Sequence, residues 1–338
     1  MSASNRLADL VARLPKAELH VHLEGSMPPK TLLSLAQRRG VSLPATTEAG
    51  VRDWFRFRDF DHFVSIYLAC SACLVEPQDF YDLAADFLAE QARQNVVYTE
   101  AHFTIGTHLA NGRDGEAIRE ALARAADDAF RQHGVRLGLI PDIVRNVPEM
   151  ADATLEWALA GLGRGVVALG LSGTEATHDS KPFADHFAEA ERQGLRRVAH
   201  AGEHGGPAAV WSALEYARAE RIGHGVRSIE DPVLVDHLVK HRIPLEVCPS
   251  SNLCLGVAPD LAAHPFDRLR QAGVVVTVNS DDPPFFETTV NDEYLRVAAA
   301  YGYGEQEIVD LVVAGIDSAF LSATERTDLV ARARARVG

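Results

Sequence analysis

The sequence predicts a single (β/α)8 barrel over residues 1–338, with a helical, lid-like insertion after the first strand at about 40–78. Three observations lead there. Short β-branched runs alternate with longer Ala-rich stretches of helical periodicity, the pattern of a parallel sheet wrapped by helices. The short runs number eight, and no Pro-, Gly- or Ser-rich linker, charge run or solenoid-length repeat divides the chain. At ~150 residues per domain the length would also permit two domains, but eight strands with helices between them favour the closed barrel.

Taken in order, the first strand is expected at 18–23, where His20 and His22 lie two apart and so face the same way. A helix follows at 31–39. Between the first strand and the second at 96–103 lie roughly seventy residues, too many for one crossover helix. That stretch holds Trp54, Phe55, Phe57, Phe60, Phe63 and Tyr67. The helical spacing of Phe60, Phe63, Val64, Tyr67 and Leu68 reads as a core-facing helix, with an apolar lid over the barrel mouth as the alternative. Helices at 79–94, 116–133, 148–162, 183–193, 210–219 and 232–241 alternate with strands at 135–144, 165–171, 195–200, 221–223, 243–247 and 274–279. The sixth strand is the shortest and weakest of the eight.

Composition excludes several functions. The 47 acidic residues against 33 Lys and Arg give a net charge of −14, which opposes binding to nucleic acid or an anionic membrane. With 47% hydrophobic and 24% charged residues the chain is globular, not disordered or fibrous. Residues 1–16 carry Arg6, Asp9, Arg13 and Lys16 in place of a signal-peptide apolar region, and no run of 18 apolar residues occurs. Four cysteines are too few for a disulfide scaffold. Together these features predict a soluble, cytoplasmic protein.

Barrel active sites form at the carboxyl ends of the strands, and the polar residues there are His20, His22, Glu100, His102, Arg145, Gly173, Glu175, His200, Glu203, His224, Ser250, Asp281 and Asp282. His20, His22, His200 and Asp281, on the first, fifth and eighth strands, would converge. Three imidazoles and one carboxylate suit Zn²⁺ with an open position for water. Glu203 lies three residues after His200, and His224 sits between Gly223 and Gly225. Zinc brings the pKa of a bound water to about 7, so hydrolysis also needs groups that move protons, and these two are placed to do so.

These residues resemble the adenosine deaminase family of zinc-dependent purine deaminases. The resemblance rests on Leu19-His20-Val21-His22-Leu23-Glu24-Gly25-Ser26, His200-Ala201-Gly202-Glu203, Arg221-Ile222-Gly223-His224-Gly225 and Ser280-Asp281-Asp282-Pro283, in the family's order. It implies a single barrel with one Zn²⁺ per chain held by His20, His22, His200 and Asp281. Glu203 would protonate N1 of the purine, and His224 would orient and deprotonate the attacking water. Asp282 would accept a hydrogen bond at N7, and the Gly173 backbone would meet N3. Ring protonation makes C6 electrophilic, water adds there, and ammonia leaves to give a 6-oxopurine. Binuclear relatives bridge two metals with a lysine on the fourth strand, and 165–170 has none.

Within the family, Glu24 stands where adenosine deaminases generally carry the Asp that contacts the ribose 5′ end. Glu24 resembles the adenine deaminases and the aminodeoxyfutalosine deaminases. Gly173 in Leu171-Ser172-Gly173-Thr174-Glu175, Thr288-Thr289, and Trp54-Phe55-Arg56-Phe57-Arg58-Asp59-Phe60 look most like the latter. The expected substrate is therefore a small adenine nucleoside, 6-aminodeoxyfutalosine of the futalosine route to menaquinone or adenosine. Adenine deamination in purine salvage is the alternative, and a non-catalytic purine-binding barrel is the alternative of another class. Aminodeoxyfutalosine carries a benzoate, for which Arg58 or Arg145 is the expected cation. A different zinc deaminase class uses H-x-E and P-C-x-x-C. His22-Leu23-Glu24 and Cys70-Ser71-Ala72-Cys73 imitate it, but Ala69 replaces the proline. A phosphoesterase barrel would need further metal ligands or a basic phosphate site, and neither is found.

Overall fold

A computed structural model describes residues 3–336. Eight parallel strands pair in sequence order: β1 (Lys16–His22), β2 (Val96–Phe103), β3 (Arg136–Val144), β4 (Ala168–Ser172), β5 (Arg196–Ala201), β6 (Arg221–His224), β7 (Leu245–Val247) and β8 (Val276–Val278). All eight expected strands are present, and β2 has the expected bounds. β8 is shorter than expected because the chain after Val278 joins β1 largely through side chains. Asn279 Oδ1 accepts from the Leu19 and His20 N–H groups at 2.9 and 3.2 Å, and Glu18 Oε1 accepts from Ser280 N at 3.0 Å. Two backbone bonds, His22 N to Asp281 O at 2.8 Å and Asp281 N to His20 O at 3.1 Å, complete the closure. Barrel closure therefore brings both ends of the chain's motif set into one place.

Ile140, Ala168 and Val198 form a small apolar cluster against which Phe320 packs. Over the same Phe320 ring, 3.7 Å from its centroid, lies the guanidinium of buried Arg221, which donates to both Glu100 and Glu246. Such an arrangement is tolerable only because each buried charge is paired. β4 starts at Ala168, later than expected, because Val166 makes only isolated bridges to Leu139 and Leu162.

The insertion after β1 folds as two helices, Glu48–Phe55 and Phe60–Ser71, which start where Thr47 and Asp59 side chains cap the free N–H groups of Gly50 and His62. Their aromatic residues pack onto the segment after β8. The Phe55 and Phe285 rings lie 4.4 Å apart, and Phe63 stacks on Phe286 at 5.8 Å. Phe55, Phe285 and Phe286 are each at most 4% exposed, and burying a Phe side chain contributes roughly 1.5–3 kcal/mol. Of the residues expected to face a core from Phe60–Ser71, Phe60, Phe63, Val64 and Tyr67 are half-buried and Leu68 is 49% exposed; Ile66, Cys70 and Ser71 are the buried ones. Tyr67 lies 6.4 Å from the His22 ring and Phe60 5.4 Å from that of His204, so the helix lies against the carboxyl end of the barrel. Among the described residues no helix is long and apolar enough to cross a membrane.

Candidate active site

The candidate ligands are held from behind. His20 Nδ1 lies 2.9 Å from Glu246 Oε2, so the proton sits on Nδ1 and Nε2 faces the centre bare. His200 Nδ1–H donates to the Leu171 carbonyl at 3.1 Å, which leaves its Nε2 bare as well. That atom is 3.1 Å from His22 Nε2, and Asp281 Oδ1 lies 3.3 Å from His22 Nε2 and 3.5 Å from His20 Nε2. His20 Nε2 is buried without a hydrogen-bond partner. Bare nitrogens converging on one another and on a carboxylate repel unless a cation lies between them, so the donor set fits a metal ion. Without a cation between them, burial of the His20 ring is overcome by Asp281 and Glu246, which draw a proton onto it instead, raising its pKa. The centre thus demands positive charge. Asp281 (φ +64°) and His224 (φ +59°) are in the left-handed region, which few non-glycine residues adopt.

The turn after β5 carries Glu203. One carboxylate, Glu175, accepts from three consecutive backbone N–H groups: Gly202 and Glu203 at 2.6 Å and His204 at 2.5 Å. Gly202 has φ +73°, and a Cβ there would stand 2.5 Å from Val210 Cγ2, so only glycine fits the turn. Glu203 Oε2 lies 3.2 Å from His204 Nδ1, while its Oε1 is 3.9 Å from His224 Nδ1 and otherwise unpartnered. Burial would raise the Glu203 pKa, but His224 and His204 prevail and lower it, so the free protein holds a carboxylate. His224 Nε2 is 3.9 Å from Asp281 Oδ2.

Glu24 and Asp282 sit at the same end of the barrel. Glu24 Oε1 accepts from Thr104 N (3.0 Å), Thr104 Oγ1 (2.6 Å) and His108 Nε2 (3.1 Å), leaving Oε2 buried and unpartnered. Asp282 packs on Gly25, where a Cβ would fall 1.6 Å from its Oδ1. Burial, then the adjacent Asp281 charge, pushes the Asp282 pKa well above the usual carboxylate range. That corrects the expected direction of its hydrogen bond: N7 of a 6-aminopurine has a lone pair and no hydrogen, so a protonated Asp282 would donate to it. Gly173 lies at the end of β4 with φ +91°, and a Cβ there would come within 2.6 Å of Asn146 Oδ1.

The two arginines differ in setting. Arg145 is 2% exposed; its Nη2 donates to the His200 carbonyl at 2.8 Å, bracing a candidate ligand from behind, while its Nε and Nη1 are buried without partners. Arg58 is exposed beside the insertion, where its backbone N–H donates to His62 Nδ1. Cys70 and Cys73 are buried thiols whose pKa values are raised by burial, the opposite of a zinc thiolate. Asp142 fills the space at β4 left by Gly170, where a Cβ would lie 1.8 Å from its Oδ1, and bonds His102 Nδ1 at 2.9 Å. Sequence reasoning assigned no role to Glu246, Glu175, His204, Thr104 or His108. An acid in the middle of the short apolar β7 was the one signal that would have exposed Glu246.

The adenosine deaminase family profile matches residues 15–335. The chain belongs to the adenosine deaminase family. It is 42% identical over 320 residues to an adenine deaminase of Albidiferax ferrireducens, covering 94% of this chain and 92% of that one. It is 39% identical over 328 residues to an aminodeoxyfutalosine deaminase of Streptomyces avermitilis, covering 96% and 92%. The crystal structure of an adenine deaminase from Arthrobacter aurescens superposes with a TM-score of 0.90 at 32% identity, covering 96% of this chain and 99% of that one. Membership makes the protein a metal-dependent deaminase of the C–N hydrolase class with a (β/α)8 fold.

Proposed function

We propose that the protein hydrolyses the 6-amino group of free adenine, giving hypoxanthine and ammonia, with one Zn²⁺ held by His20, His22, His200 and Asp281. The observation that carries the choice of adenine is the likeness to enzymes named adenine deaminase, 42%, 38% and 40% identical over 94–96% of this chain. Glu24 Oε2, a buried acceptor without a partner, can take a hydrogen bond from the N9–H of a free purine and so agrees with it.

When bound, zinc supplies Lewis acidity that makes water a nucleophile near neutral pH. The chain's own residues manage position and protons. Glu203 gives N1 the proton it has gathered from the attacking water, Asp282 donates to N7, and the Gly173 backbone meets N3. The second water proton passes from the oxygen at C6 to the amino nitrogen, which leaves as ammonia, so atoms and charge balance. Zinc content and kcat/KM for adenine, adenosine and aminodeoxyfutalosine, followed by ammonia release, test the reading. Adenine is expected to be preferred by at least tenfold. Preference for aminodeoxyfutalosine, which the 39% relative favours, would overturn it and return Arg58 to consideration. Purine binding without ammonia release would make the barrel a binding module.

A further inference from the structure

Behind His224 runs a buried chain of side chains whose hydrogen-bond directions are fixed from one end. The Phe266 backbone N–H lies 3.1 Å from His264 Nδ1. A backbone N–H can only donate, so His264 Nδ1 is an acceptor and the ring's proton is on Nε2. Burial, which pushes the His264 pKa down to about 4, agrees with a neutral ring. His264 Nε2–H then donates to Asn252 Oδ1 at 3.1 Å. This settles the Asn252 amide, since the opposite orientation would set its NH₂ against the His264 N–H. Asn252 Nδ2 therefore donates to His224 Nδ1 at 3.3 Å. Asn252 and His264 are at most 1% exposed, so water does not supply substitutes.

We infer that Asn252 and His264 are positioning residues that hold His224 as its Nε2–H tautomer, so that His224 donates a hydrogen bond to the oxygen adding at C6 and does not remove its proton. The Nδ1 lone pair is occupied by the amide, and Nε2, which faces Asp281, already carries hydrogen. This reverses the base role expected for His224 and leaves Glu203 to take the water's proton. The kinetic consequence rests on the deaminase reading above; the tautomer does not.

Zinc-loaded protein with ¹⁵N-labelled histidine tests the tautomer by long-range ¹H–¹⁵N spectra, with the His224 signals assigned by their loss in His224→Gln. The expected pattern is protonated Nε2 and bare Nδ1. In Asn252→Asp the carboxylate can only accept, so His224 turns to Nδ1–H. kcat should then fall about 10²-fold, the usual loss when one oxyanion donor is removed, with zinc content kept and KM for adenine within about threefold. Asn252→Ala serves if the aspartate variant does not fold, and should give mixed tautomers with a smaller loss. A wild-type Nδ1–H signal, or an unaltered tautomer and kcat in both variants, overturns the inference. If wild-type protein deaminates no 6-aminopurine, the deaminase reading fails while the spectra still settle the tautomer.

Discussion

Replacing Glu175 by glutamine keeps the side chain's length and removes its charge, at a point where one carboxylate serves three N–H donors. The amide oxygen can retain the Glu203 and His204 N–H groups. Its NH₂ must then face the Gly202 N–H, two donors in contact. Turning two charge-assisted bonds into neutral ones costs about 1 kcal/mol each, and the orphaned Gly202 N–H adds about 1–3 kcal/mol. Glu175 is half-buried, so solvent recovers part of this, and about 3 kcal/mol remains to drive the turn into another arrangement. A shift near 1 Å in a group that works on substrate costs about 10² in rate. Steady-state ammonia release should show kcat reduced about 10²-fold, with KM within about threefold and zinc content unchanged. Because Glu175 acts through Glu203, adding Glu175→Gln to a Glu203→Gln enzyme should cost less than threefold more. Equal losses in both backgrounds, or no loss in the first, would refute the reasoning.

Glu203→Gln itself should keep metal and fold and lose most turnover, since an amide cannot deliver a proton; a near-normal rate with adenine would exclude its role. Glu246→Gln frees the His20 ring from its carboxylate and should weaken zinc affinity about 10–100-fold, measured by competition with a chelating dye. Glu246 also carries a pH dependence: burial raises its pKa, but Arg221 and His20 outweigh burial and lower it from 4.5 to about 2. The folded value is below the unfolded one, so the stabilisation is whole above pH 4.5 and is lost as pH falls toward 2. The full loss is about 3 kcal/mol, of which about 2 kcal/mol falls between pH 5 and pH 3, read as the difference between wild-type and Glu246→Gln urea unfolding at those two pH values. Arg221→Met strands Glu100 and Glu246 in the interior and should cost about 3–5 kcal/mol by the same unfolding assay at pH 7.

Much of the fold was legible along the chain because strand and helix are set by short-range periodicity. All eight strands were placed, including the four-residue β6, since most are short β-branched runs bounded by turn residues. Boundaries differed where neighbours intervened: β8 stops at Val278 because the Asn279 side chain takes over pairing with β1. The convergence of His20, His22, His200 and Asp281 was also expected from the chain, because a strand's alternation says which way a side chain points and a barrel says where strand ends meet.

The sequence alone could not assign partners. Arg145 stands at a strand end, as an anion-binding residue would, and only the packed structure turns its guanidinium to the His200 carbonyl, 55 residues on. His20 and Glu246 are 226 residues apart, and Asn252 meets His224 through a helix after β7 whose register nothing local specifies. Which residues line the site follows from the period of the chain. Which nitrogen carries hydrogen, which carboxyl stays protonated and which arginine donates to backbone follow from burial among groups that closure of the barrel brings within about 3 Å.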